Sequence, residues 1–134
     1  MEKQNVQNGV SQRHGPGQVG FMDILERVKL QVEADCFLPR DKEQVHELCC
    51  IIAEMQLLPE TAPVQIGGVK MCAGTVAEIY SILTAEHLQL VIDEFRKISY
   101  KINRKKSYLR TMLYNSLFEY SSAATNEVAI NNTG

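Results

Sequence analysis

The sequence predicts a small all-α domain, a bundle of about five helices with one inserted short β-hairpin. Three observations predict it. Apolar residues recur at three- and four-residue spacing over most of 21–118. That period gives way to alternation at one place, around Gly67-Gly68. Residues that break or cap helices, among them Pro39, Asp41, Pro59, Thr84 and Asn103, fall between the periodic stretches.

The first helix is expected over Phe21–Val32, where Ile24, Leu25, Val28 and Val32 share one face. Pro39 cannot continue it. Asp41 is expected to cap the second helix, with Gln44 completing a capping box. Over 42–58 the stripe Val45, Leu48, Cys49, Ile52 and Met55 turns inward while Lys42, Glu43, Glu47 and Glu54 lie off it. Val64 and Ile66, then Val69 and Met71, alternate on either side of a Gly-Gly pair that tolerates positive φ, so two short strands are expected. Thr75 and Glu78 suggest a capping box for a short helix ending near Ile82. Thr84 opens the next helix, to about Ser99, with Leu88, Val91, Ile92, Phe95 and Ile98 on one stripe. Asn103 caps a last helix over about 104–118, with Leu109, Met112, Leu113 and Leu117 inward and Tyr108 beside them.

The 134 residues suffice for one domain. Residues 1–20 hold half of the eight glycines and few branched apolar side chains, and are expected to form a disordered tail. A similar tail is expected over 121–134, which leaves 21–120 as the folding unit. No stretch approaches a membrane span, and no apolar leader opens the chain, so a cytoplasmic protein that does not bind membranes is expected.

Four Cys and three His raise the question of metal. One suggestive spacing exists, His46-x-x-Cys49, but no second ligand pair accompanies it, and Cys49 lies on the buried stripe. Unpaired, metal-free thiols and no cofactor are expected. No nucleophile elbow, phosphate loop or dinucleotide fingerprint is present, so no enzyme is expected.

Charge is the informative feature. The net charge is −2, yet residues 96–118 hold seven Lys/Arg and no acid, against seven basic and fourteen acidic residues in 1–95. Such local asymmetry suits an anionic partner. Arg96, Lys97, Lys101, Arg104, Lys105, Lys106 and Arg110 are candidate phosphate contacts. Tyr108, with Tyr100 nearby, can stack on unpaired bases or pack on the core. Cations in the first turn of the last helix oppose its dipole, while the free N–H groups there favour an anion. An acidic protein surface, or no partner at all, fits the same charges.

The stretch Lys101-Ile102-Asn103-Arg104-Lys105-Lys106-Ser107-Tyr108-Leu109-Arg110-Thr111-Met112-Leu113-Tyr114-Asn115 resembles the closing motif of the C-terminal domain of plasmid-type replication initiator A proteins of Gram-positive bacteria. Val64–Gly68 resembles that family's strand and turn, and Thr84–Val91 its Ser/Thr-x-x-His helix opening. The resemblance covers about 24–118. The closing helix is more distantly similar to the end of DnaD-like domains, with Tyr108 and Met112 in place and Ser116 where that family has Trp. The resemblance implies a non-enzymatic module of plasmid or mobile-element replication. Its expected partner is DNA, single-stranded in preference to duplex. Docking on an initiator or helicase-loading protein without DNA contact is the alternative. The winged-helix domain that gives such initiators origin recognition has no counterpart in the stretch preceding the match, so origin recognition is not implied.

Overall fold

A computed structural model describes residues 20–98 and 102–133, with side chains of the last helix described as far as Glu119. Among these residues there are five α-helices and one antiparallel hairpin, in the order α1 (Phe21–Gln31), α2 (Lys42–Leu57), β1 (Pro63–Ile66), β2 (Val69–Cys72), α3 (Ala73–Tyr80), α4 (Ala85–Ile98) and α5 (Lys105–Thr133). The expected all-α bundle with an inserted hairpin is the architecture observed. The tail expected before Gly20 lies outside the described residues.

α2 is the central helix and packs against α1, α3, α4 and α5. All five residues of its expected stripe are buried, joined by Ile51 and Ala53, because neighbours cover more than one face. α1 ends at Gln31 with Val32 as its C-cap, and Glu33 follows in the left-handed region at φ 54°. Two 3-10 turns, Ala34–Cys36 and Pro39–Asp41, then lead into α2.

The expected capping box at Asp41 is absent. Asp41 stands at the N-cap position with helical backbone angles and makes no side-chain cap bond. Its carboxylate turns inward, fully buried, to pair with Arg96 and to accept a hydrogen bond from Gln89 Nε2 at 3.4 Å. A charge-assisted partner from α4 wins over a backbone N–H.

The hairpin pairs Val64 with Met71 and Ile66 with Val69, each strand one residue longer than expected. Gly67 and Gly68 both have positive φ, 58° and 85°, as the two-residue turn requires. α3 begins two residues before the expected Thr75 cap. Its leading N–H groups are met by the preceding loop: Ala73 N–H donates to Ala62 O at 2.8 Å and Gly74 N–H to Glu60 O at 2.9 Å. A Cβ on Gly74 would come within 3.2 Å of that same Glu60 oxygen, so glycine permits the approach. At the other end Gln31 Nε2 donates to the carbonyls of Tyr80 (3.0 Å) and Leu83 (2.7 Å), closing α3 with a side chain from α1.

α4 buries His87, Leu88, Val91 and Ile92, with Phe95 packed beside them. α5 buries Leu109, Leu113 and Ser116, with Met112 and Leu117 against the core. It starts one residue later than expected, at Lys105, so Arg104 takes the boundary position. It also runs on to Thr133, into the stretch expected as a disordered tail from Ser121. No Gly or Pro interrupts 105–133, so nothing in the backbone chemistry ends the helix at 118.

Candidate nucleic-acid interface

The basic residues expected as phosphate contacts are divided by their partners. Arg96, in the last turn of α4, is paired with buried Asp41 and donates also to Arg40 O at 3.3 Å. Lys97 meets Glu94 of its own helix at 3.1 Å. Lys105 meets Glu47 at 3.0 Å and lies 5.6 Å from the centre of the Phe95 ring. Lys106 meets Glu54 at 2.5 Å. Glu47 and Glu54 thus face the start of α5 while remaining partly exposed. Lys101, with Tyr100, lies outside the described residues.

Arg104, Tyr108 and Arg110 take three different positions. Arg104 is exposed and has no ion pair among the described residues. Arg110 is half-buried, its Nε without a hydrogen-bond partner, and its backbone carbonyl accepts a 2.6 Å hydrogen bond from the Tyr80 hydroxyl. Tyr108 is 38% exposed and faces outward rather than into the core.

Arg104 and Tyr108 line a cleft of about 600 Å³ that the basic pattern did not reveal. One wall is the hairpin turn, Gln65, Gly67 and Gly68; the other is the start of α5 with Asn103, Ser107 and Thr111. The walls are tied together where Gly67 N–H donates to Thr111 Oγ1 at 3.0 Å. Arg104 is the one charged residue lining the cleft among the described residues. The signal in the sequence was the Gly-Gly pair, whose positive φ values make the tight turn that α5 meets at Thr111. Tyr108 also borders a groove of about 520 Å³ between α4 and α5, floored by Val91, Ile98 and Met112 and edged by Glu94 and Glu119.

The Thr84-x-x-His87 spacing has a structural role. His87 Nδ1 lies 3.0 Å from the Thr84 backbone nitrogen, which donates to it, and 2.9 Å from Thr84 Oγ1. His87 therefore acts where a capping box ordinarily has Glu or Gln.

The described cysteines are all free. Cys49 is buried, which pushes its thiol up to about 12, and Cys50 is half-buried. The thiol facing His46 belongs to Cys50, one turn along, and not to Cys49. Among the described residues no group of three or more His, Cys, Asp or Glu side chains is gathered for a metal ion, and no helix is long and apolar enough to cross a membrane.

Fold and site together define a small helical bundle with a hairpin docked on its last helix. Comparison with protein-family models, with curated proteins and with solved structures finds no match to this chain.

Proposed function

We propose that the chain is a non-enzymatic module of DNA replication that contacts nucleic-acid phosphate at the cleft between the hairpin turn and the start of α5. One observation carries this reading. Two segments that resemble replication initiators, 64–68 and 101–115, meet at the Gly67–Thr111 hydrogen bond and together line the cleft with Arg104 at its edge. Arg104 supplies the charge and Ser107 and Asn103 neutral donors, a set that suits a phosphate oxygen. Lys105 and Lys106, held by Glu47 and Glu54, contribute less than their number suggests.

The test is fluorescence anisotropy with single-stranded oligonucleotides across a salt series. Few phosphates are engaged, so log K should fall with log salt at roughly −0.7 per phosphate, a slope of about −1 to −2. Arg104→Ala should weaken binding on every sequence alike, and more than Lys105→Ala with Lys106→Ala. An unchanged affinity in Arg104→Ala, or no binding by the parent protein at low salt, removes the reading.

The second reading is docking on an initiator or helicase-loading protein. The internal pairing of Arg96, Lys97, Lys105 and Lys106 favours it, as does the apolar floor of the α4–α5 groove. Direct binding to a purified replication protein, with no retention on DNA, would establish it over the first.

A further inference from the structure

We infer that the hairpin supplies the second half of the cleft: Lys70 takes a second phosphate and Gln65 meets the base between, so the site holds one nucleotide of an unpaired strand. This inference rests on the nucleic-acid reading and adds to it a cation, Lys70, from outside the basic segment. The placement follows from the register. Val64 and Ile66 are buried, so Gln65, between them, belongs to the other face of β1. Gln65 pairs directly with Lys70 of β2. Residues opposite each other in an antiparallel pair share a face, with Cβ atoms about 4.5–5.5 Å apart. Gln65 lines the cleft, so Lys70 stands beside it on that outer face. β1 is the strand packed on α5, while β2 packs on α3. Lys70 therefore lies one strand spacing, about 4.8 Å, farther from α5 than Gln65 does. The order across the site is Arg104 and Asn103 at α5, then Gln65, then Lys70 at the outer rim. Lys70 is exposed and has no ion pair among the described residues, unlike Lys97, Lys105 and Lys106.

The chemistry selects an unpaired strand. Two cations separated by neutral amides match two successive phosphates with a base between them. The side-chain amides of Gln65 and Asn103 are exposed, and each offers donors and an acceptor. Such groups read base edges, and an unpaired base leaves all of its edges open to them. The cleft is also concave, its two walls tied by the Gly67–Thr111 hydrogen bond. Its volume of about 600 Å³ falls among pockets that enclose small ligands, a size that suits one nucleotide. A duplex, stiff over about 150 base pairs, meets such a notch only at its rim. A single strand can turn its backbone and one base into it.

The test is fluorescence anisotropy of the full chain with one labelled oligonucleotide, single-stranded and then annealed to its complement, across a salt series. The parent should bind the single strand more tightly than the duplex, with a slope of about −1.4, two phosphates at roughly −0.7 each. Lys70→Gln should reduce the magnitude of that slope by about 0.7, and Lys70→Arg should restore it. Lys70→Gln combined with Arg104→Ala should leave almost no salt dependence. Gln65→Ala should weaken binding with the slope unchanged, because a base contact releases no counterion. All three positions are exposed, and circular dichroism checks that each variant is folded. A slope unchanged in Lys70→Gln, where Arg104→Ala still weakens binding, overturns this inference and leaves the phosphate reading standing. So does an affinity unchanged in Gln65→Ala, or duplex bound as tightly as single strand. An Arg104→Ala variant that binds like the parent, or a parent that does not bind at low salt, overturns both.

Discussion

Asp41 and Arg96 tie the start of α2 to the last turn of α4 through an ion pair in which the Asp41 side chain is fully buried and the Arg96 side chain keeps 36% of its surface in water. Burial alone would raise the Asp41 carboxyl; the hydrogen bonds from Arg96 and Gln89 and the charges of Arg96 and Arg40 outweigh it and hold the carboxyl below its ordinary value.

Arg96→Ala leaves that carboxylate without its cation. A fully buried pair broken in this way costs about 3–5 kcal/mol, and the partial exposure of the Arg96 side chain lowers the expected loss to about 2 kcal/mol. The depressed carboxyl contributes stability that is present above about pH 4 and is lost as pH falls through its folded value. Urea denaturation at neutral and acid pH should therefore show Arg96→Ala converging on the parent as acid is added. Its oligonucleotide affinity, measured on folded protein, should stay near the parent's, since Arg96 serves the fold.

His87 gives a second pH dependence of opposite origin. Burial holds its imidazole below the ordinary 6.5, with Glu86 opposing. The unfolded chain takes up this proton first as pH falls, so stability is full above about pH 6.5 and declines below it, toward the folded value. Thermal midpoints between pH 5 and pH 7.5 should fall on the acid side in the parent. They should fall less steeply in His87→Gln, in which nothing titrates at that position.

Removing the acids that hold the two lysines should separate stability from binding. Exposed pairs such as Lys105–Glu47 and Lys106–Glu54 contribute about 0–1 kcal/mol each, so Glu47→Gln with Glu54→Gln should unfold close to the parent. Freed lysines can each take a phosphate, and the salt slope should steepen by up to about 1.4. A salt titration with both proteins on one oligonucleotide reads the difference; an unchanged slope counts against phosphate contact at the start of α5.

Tyr80→Phe removes one hydroxyl from the core. Tyr80 is fully buried, burial pushes its phenol up, and the hydroxyl donates to Arg110 O. The carbonyl belongs to a helix, so the loss should be about 1 kcal/mol, read by equilibrium denaturation.

The fold was legible where neighbours in sequence decide the structure. Val45, Leu48, Cys49, Ile52 and Met55 are buried as their spacing implies, and Gly67-Gly68 turns the hairpin in the expected register. It was not legible where a side chain chooses between a local and a distant partner. Asp41 suits a cap by every local rule, yet Arg96, 55 residues away, takes its carboxylate. The same limit applies to the candidate site. The run of cations at 96–110 is plain in the sequence, but Asp41, Glu47 and Glu54, which pair with three of them, lie in a distant part of the chain and could not be assigned to it. The composition of 121–134 reads as a tail, while the backbone of 105–133 contains nothing that stops a helix, and α5 runs to Thr133.

The bond between Gly67 and Thr111 also bears on the order of assembly. A two-stranded ribbon is marginal by itself, and this one is secured by a residue 44 positions later in the chain. The ribbon is therefore expected to gain lasting order late on the folding route, once the long loop to α5 has closed. Synthesis from the N-terminus leaves the strands waiting for a helix not yet made. In the finished protein the Gly67 amide records each departure of α5 from the bundle, and its exchange with solvent deuterium measures how often the cleft opens.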